Sequence, residues 1–177
     1  MQRIKLRFEN IQQVVGNEEL SVLLLTDESR TRALSIICDE SMTRQLLLRL
    51  QHPDKCKTLL PEALTQLLQG PYEMMIYGVY DGQYQVVLAD GTFEHSVRLR
   101  ISDAVLLMLI SGYPLYIEEQ LMERQCVPFD EKAPGVSIPI NTMDTVRLNV
   151  ALQNAIEAEN YELASILRDE IKKRTTK

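Results

Sequence analysis

Residues 72–100 read YEMMIYGVYDGQYQVVLADGTFEHSVRLR, and this stretch decides the fold of the chain. Its apolar and aromatic residues fall into three segments, which are separated by Asp81-Gly82 and Asp90-Gly91. A glycine in the second position of this dipeptide accepts the positive φ of a tight hairpin turn. The stretch therefore predicts a three-stranded antiparallel meander.

The residues on either side of the meander predict further strands and helices. Residues 3–8 alternate cationic and apolar side chains, and a period of two predicts a strand with one buried and one cationic face. Ser102-Asp103 supplies a cap and an acidic first turn to an apolar helix over 104–110, which Gly112 ends. The other predicted elements are strands over 22–26, 32–37 and 114–117, helices from Asp39 to His52 and from Pro61 to Gly70, and an amphipathic turn over 118–124.

Prolines and a glycine between residues 127 and 141 break both the helical and the strand periodicities, which predicts a linker. We therefore divide the chain into a domain over 1–127, a Pro-rich linker over 128–143 and a helical tail over 144–177. The predicted fold class is α+β, with a mixed or antiparallel sheet, packed helices and a C-terminal antiparallel two-helix hairpin.

The composition is that of a globular protein, with 45% hydrophobic and 25% charged residues among 177. The start of the chain lacks the apolar core of a signal peptide, and the longest apolar run, 104–110, is too short to span a bilayer. Three widely spaced cysteines and two distant histidines offer neither a disulfide framework nor a dedicated zinc site. We expect a cytoplasmic protein with reduced thiols and no membrane segment.

The net charge of −6 belongs to the first 143 residues, because residues 144–177 contain six basic and six acidic side chains. Binding to nucleic acid draws much of its affinity from neutralising phosphates. A nucleic-acid ligand would therefore require a basic patch that is separated from this acidic background.

The tail predicts two short antiparallel helices. Apolar and small residues recur at helical spacing on both sides of a turn at Glu159-Asn160. Such a pair buries little surface, so we expect its apolar face to contact its own domain, a second copy or a foreign partner. The residues that we assign to partner binding are Leu152, Ala155, Tyr161, Ala164, Leu167 and Arg168.

Residues 154–171, NAIEAENYELASILRDEI, resemble the UVR motif of the repair proteins UvrB and UvrC and of bacterial stress-protease adaptors. Arg168-Asp169 and Ala164 stand at its most characteristic positions. The resemblance implies a hairpin that binds another protein. The alternative is a hairpin that only closes its own domain or a dimer.

The larger domain contains Arg100-Ile-Ser-Asp-Ala-Val105, followed by Gly112-Tyr-Pro-Leu-Tyr-Ile-Glu-Glu119. These two blocks resemble the bifunctional nuclease family of small bacterial domains, which also occurs in plants. The resemblance implies hydrolysis of phosphodiester bonds in DNA or RNA. Two positions depart from the family pattern, since Pro61 stands where a histidine is usual and Arg98 where an aspartate is usual.

The candidate catalytic residues are Asp103, Arg100 and His95. Asp103 is placed to bind a divalent cation, Mg²⁺ or Mn²⁺, or to orient water, and His95 to act as a base. The alternatives are that Asp103 only stabilises the helix start and that His95 is a solvent-facing strand residue. Glu118 and Glu119 rank below these as metal ligands.

Cationic residues on two predicted strands suggest a surface for phosphates. Arg98 and Arg100 share one strand face by their spacing of two, and Arg3, Lys5 and Arg7 share another. A cationic strand face also occurs as a solvated or edge-protecting surface. Two functions remain open: a nuclease with a protein-binding tail, or a non-catalytic adaptor or ligand-binding homo-oligomer that recruits a repair or protease component.

Overall fold

The strands form a single mixed sheet in this computed structural model, which describes residues 2–14, 17–68, 70–92, 94–131 and 140–175. The strands are β1 (Arg3–Val14), β2 (Asn17–Asp27), β3 (Arg32–Asp39), β4 (Glu73–Tyr80), β5 (Gln83–Ala89), β6 (Ser96–Arg100), β7 (Leu115–Glu118) and β8 (Val127–Pro128). Their order in the sheet is β6-β5-β4-β7-β1-β2-β3-β8, and β4 pairs with β7 in parallel whereas the other pairs are antiparallel. The α+β prediction is confirmed.

Helices follow the strands at the predicted places, with one addition. The short helix α2 lies in the stretch between the first two predicted helices, which the sequence pattern left as a connector. The helices are α1 (Glu40–Gln51), α2 (Pro53–Cys56), α3 (Leu60–Leu67), α4 (Ile101–Ser111), α5 (Glu119–Gln125), α6 (Thr145–Glu157) and α7 (Tyr161–Thr175).

The two Asp-Gly dipeptides of the meander form different connections. Asp81 and Gly82 have φ values of 45° and 75°, so β4 and β5 are joined by a two-residue turn with both φ positive, as predicted. The second prediction was wrong in detail, because β5 ends at Ala89 and β6 begins only at Ser96. Asp90 instead accepts hydrogen bonds from the backbone N–H and the hydroxyl of Thr92, at 3.1 and 2.8 Å, which builds a longer loop.

A buried aspartate fixes the connection between β2 and β3. Asp27 is 3% exposed and accepts hydrogen bonds from the backbone N–H groups of Thr31 and Arg32 and from the Arg32 guanidinium. Burial alone would raise the pKa of Asp27, but these hydrogen bonds outweigh it and lower the pKa to about 2. The Asp27 side chain is therefore ionised in the folded protein at neutral pH.

The sheet curves around the core. Five strands separate β6 from β3, and on a flat sheet six strand spacings would place them roughly 29 Å apart. Yet α1, which follows β3, contacts α4, which follows β6. These contacts require the ends of β3 and β6 to approach one another.

Helices α1 and α4 cover the inner surface of the curved sheet. Helix α1 contacts β2 and β3, α4 contacts β5, β6 and β7, and the two helices contact each other. A buried ion pair joins α1 to α3, in which Arg49 Nε and Nη2 lie 2.7 and 3.0 Å from Glu62 Oε1 and Oε2. The main core therefore brings together the chain segments that follow β3 and β6.

The predicted boundary near residue 127 falls inside an element. Strand β8 pairs with β3, and the backbone N–H of Phe129 donates to the carbonyl of Thr31 at 3.0 Å. Of the predicted linker, residues 132–139 lie outside the described residues, and Ile140–Thr142 form a 3₁₀ turn. Among the described helices, none combines the length and the apolarity needed to cross a bilayer.

Helices α6 and α7 form the predicted antiparallel hairpin. Its core consists of Leu148, Ala155, Ala164 and Leu167, against which Ile140 and Met143 pack from the preceding segment. This cluster is separate from the main core, whose members lie between residues 4 and 126. The hairpin therefore holds its own small apolar centre.

Candidate functional site

Arg100 and Asp103 form an ion pair at the start of α4. Arg100 Nε and Nη2 lie 2.6 and 3.1 Å from Asp103 Oδ2 and Oδ1, which is the two-point geometry of a guanidinium on a carboxylate. The Arg100 side chain remains 70% exposed. The hydrogen bond and the charge of Asp103 raise the pKa of Arg100 further above its ordinary value.

Strand β6 runs directly into α4, and this connection places the pair. Arg100 is both the last residue of β6 and the N-cap of α4, and it makes no side-chain capping bond. The prediction of a cap at Ser102 was wrong, because Arg100 is the N-cap, whereas the predicted acidic first turn is confirmed by Asp103. Backbone N–H groups of that turn are thus left without a side-chain cap.

The start of α1 lies beside this pair. Asp39 caps α1 by accepting a hydrogen bond from the backbone N–H of Met42 at 2.7 Å. Burial raises the pKa of the neighbouring Cys38 thiol to about 11, and the charges of Asp39, Arg100 and Asp103 also act on it. The site therefore contains two carboxylates and one arginine near two helix starts.

This arrangement is suited to binding an oxyanion. A guanidinium has five N–H donors, and two atoms of Arg100 are engaged by Asp103, so donors remain for a second acceptor. Helix starts attract anions through their free N–H groups and dipole. Asp103 holds the guanidinium in place, which makes it a positioning residue in this conformation.

A divalent cation at Asp103 remains a prediction. No group of three or more His, Cys, Asp and Glu side chains is arranged as a metal site in the part of the chain that the structure describes. Mg²⁺ is commonly bound by one or two carboxylates together with water and substrate phosphate. Asp103 would be one carboxylate of such a site, and in this conformation both of its oxygens contact Arg100.

His95 lies away from Arg100 and Asp103. It belongs to the loop before β6 rather than to a strand, its side chain is 88% exposed, and its Nδ1 lies 3.3 Å from Asp90 Oδ2. Arg100 is at the other end of β6, five residues or about 16 Å along the strand. The structure does not bring the three candidate catalytic residues together.

The two cationic rows are also separated. Arg3, Lys5 and Arg7 are exposed on β1, which stands four strand spacings from Arg98 and Arg100 on β6. Arg3 pairs with Glu73 and stacks on Tyr116, and Lys5 lies 3.6 Å from Glu28. The rows form no continuous basic surface. Arg98 lies nearest in sequence to Arg100 and Asp103 at the start of α4, which we call the α4 site.

Glu118 and Glu119 lie away from Arg100 and Asp103, where they line a pocket. This cavity has a volume of about 300 Å³, and Glu123, Gln2 and Gln120 complete its lining. Three carboxylates disfavour a phosphate ligand there.

Most of the hairpin residues assigned to partner binding are internal. Ala155, Ala164 and Leu167 are buried between the two helices, and Leu152 packs against them, whereas Arg168 is exposed and Tyr161 is 69% exposed. The two apolar stripes face each other, which leaves them unavailable to a partner in this conformation.

Other apolar side chains of the hairpin are exposed. Val146 and Val150 are 74% and 56% exposed on α6, and Ile166 is 51% exposed on α7. The spacing of four between the two valines was the signal in the sequence, but the longer internal stripe obscured it. These residues are the better candidates for contact with a partner.

Comparisons with known proteins match two parts of the chain. A family model for the bifunctional nuclease domain matches residues 22–130, and a model for the UvrB/UvrC motif (UVR) matches residues 147–173. A search of curated proteins finds no match. The first match spans more than half of the 177 residues and contains the Arg100–Asp103 pair. The chain therefore belongs to the bifunctional nuclease domain family and carries a UVR motif at its C-terminal end.

Proposed function

We propose that the domain binds and hydrolyses phosphodiester bonds of DNA or RNA at the start of α4, and that the hairpin binds a protein partner. The observation that carries the proposal is the Arg100–Asp103 pair at a helix start that lacks a side-chain cap. Within one helical turn, this pair combines the Arg100 guanidinium, which can bind phosphate, the Asp103 carboxylate and the free backbone N–H groups of the start of α4.

In the proposed reaction, Arg100 contacts a phosphate oxygen and stabilises the charge that develops on it. Asp103 orients Arg100, and Asp103 or Asp39 accepts a proton from the water that attacks phosphorus. The bond between phosphorus and the leaving oxygen breaks, and that oxygen takes up a proton from solvent. A divalent cation, Mg²⁺ or Mn²⁺, would be held by the same carboxylates and would supply further charge stabilisation. Arg98, also exposed on β6, would contact a neighbouring phosphate.

Cleavage of labelled single-stranded DNA and RNA tests this proposal. Wild-type protein and the Asp103→Ala variant are incubated with Mg²⁺, Mn²⁺ or a chelator, with His95→Ala as a matched control outside the site. We expect the Asp103 change to reduce cleavage and the His95 change to leave it unaltered. Wild-type cleavage by the Asp103→Ala variant would reject the assigned site.

The second candidate function is a non-catalytic adaptor. It is favoured by the mutual pairing of Arg100 and Asp103 and by the exposed apolar residues of the hairpin. In this case Val150→Glu removes partner capture, whereas Asn149→Glu, on an exposed neighbour, retains it. Equal capture by both variants would contradict a role for this face.

The expected homo-oligomer and cytoplasmic location remain predictions. Helix α3 offers a surface for self-association, because its residues Leu60, Leu64 and Leu67 are 71%, 49% and 76% exposed. These leucines lie on one helical face by their spacing. Light scattering on Leu64→Glu, with Gln66→Glu as control, should show a lower mass only for the former.

A further inference from the structure

The base of the hairpin contacts one turn of the sheet through polar groups. The Thr145 hydroxyl donates to Asp81 Oδ1 at 2.7 Å, and Arg174 Nη1 lies 3.3 Å from the same oxygen. Arg174 Nη1 also donates to the carbonyl of Met143 at 2.7 Å. Asp81 thus meets both ends of the hairpin, the first residue of α6 and the last turn of α7.

Gly82 adds a backbone contact to this arrangement. A Cβ atom at Gly82 would lie 2.4 Å from the carbonyl oxygen of Met143 and 2.9 Å from the backbone nitrogen of Asp144. Both atoms belong to the main chain, so no side-chain rotation would relieve the overlap. The glycine is needed here for close approach as well as for its φ of 75°.

Among the described residues, the apolar cluster of the hairpin is separate from that of the domain. The hairpin cluster contains residues between 140 and 171, and the main core contains none of them. Contacts between domains of one chain permit relative motion unless they are large and hydrophobic. The orientation of the hairpin therefore depends strongly on the contacts at Asp81 and Gly82.

We propose that Asp81 and Gly82 form a latch, which holds Met143, Thr145 and Arg174 against the β4–β5 turn and fixes the hairpin relative to the sheet. The occupant of this surface is the base of the same chain's hairpin. A partner bound to the hairpin is then held in a defined direction relative to the α4 site. The proposal goes beyond the proposed function, since it depends on neither nuclease activity nor the identity of a partner.

NMR relaxation of the backbone amides, measured on the full chain, tests the latch. When the latch is closed, amides of α6 and α7 share the rotational correlation time of the sheet. Gly82→Ala introduces the overlap with the main chain, and Asp81→Lys places a cation beside Arg174. Both changes should shorten the correlation time of the hairpin by about twofold or more, because the hairpin is much smaller than the domain.

The second Asp-Gly dipeptide supplies matched controls. Asp90→Lys makes the same change in charge, and Gly91→Ala makes the same change in side chain, where Pro71 is the nearest neighbour at 3.2 Å. Both controls should keep one common correlation time. Independent tumbling of the wild-type hairpin, or release by the controls as well, would overturn the proposal.

The Gly82→Ala change also affects the φ of the turn itself, so Asp81→Lys, which keeps Gly82, is the deciding variant. Chemical shifts of β4 and β5 show whether the meander is intact in each variant. A hairpin that keeps the common correlation time in the Asp81→Lys protein would overturn the proposal.

Discussion

Leu167 tests whether the hairpin folds on its own small core. Its side chain is 1% exposed and lies in the cluster of four buried residues between α6 and α7. Leu167→Ala should cost about 2–5 kcal/mol, from lost burial and from the cavity. Alanine favours helix at least as well as leucine, so helix propensity does not explain such a loss.

The loss should be confined to the hairpin. Two short helices are only marginally stable alone. A loss of about 3 kcal/mol in the free energy of unfolding exceeds the stabilisation that their few buried contacts provide. We expect hydrogen exchange, followed by mass spectrometry, to show loss of protection over 145–175 with β1 to β3 still protected. The control is Ile166→Ala, which removes the same number of carbons from a side chain that is 51% exposed. Equal effects of the two changes, or unfolding of the whole chain by the first, would refute the reasoning.

Three further changes test the domain. The pKa of Asp27 is lowered from 3.8 to about 2, so its contribution to the free energy of unfolding is present above pH 4 and is lost as the pH falls towards 2. Unfolding in denaturant should show about 2 kcal/mol less stability at low pH, and Asp27→Asn should remove this pH dependence. Glu62→Ala leaves the Arg49 guanidinium buried without its partner and should cost about 3 kcal/mol in the same assay, whereas a cost near zero would contradict the buried pair. Because burial raises the pKa of Cys38 to about 11, native alkylation at pH 8 should label Cys126 first, and rapid labelling of Cys38 would argue against its buried position.

Local features of the fold were predictable from the sequence. The alternation in residues 3–8 gives β1, because apolar residues such as Leu6 face the core while Lys5 faces solvent. The tight turn at Asp81-Gly82 follows from the φ values that glycine and aspartate tolerate. These features depend on neighbouring residues alone.

Long-range features were not predictable. The curvature that brings Asp39 near Arg100 depends on the order of strands that are far apart in sequence. The start of α4 depends on where β6 ends, and this excludes Ser102 from the cap position that its residue type favours. In the hairpin, the helical periodicity predicts an apolar stripe on each helix, and Leu167 belongs to the stripe of α7. Only the packing shows that the stripes of α6 and α7 cover each other.

The candidate site was predictable in part for the same reason. Arg100 and Asp103 are three residues apart at a helix start, so their contact is local. His95 is a candidate base by its residue type alone, and the extended geometry of β6 separates it from Arg100 and Asp103.

The rate at which the Arg100→Ala variant cleaves single-stranded DNA or RNA tests the central claim most directly. Arg168→Ala is the matched control, because it removes another exposed arginine that is paired with an aspartate, on the hairpin. If Arg100 stabilises charge on the reacting phosphate, its removal should lower the rate by about 100-fold or more, while the control keeps the wild-type rate. Wild-type cleavage by the Arg100→Ala protein would contradict the assignment of the active site to the start of α4.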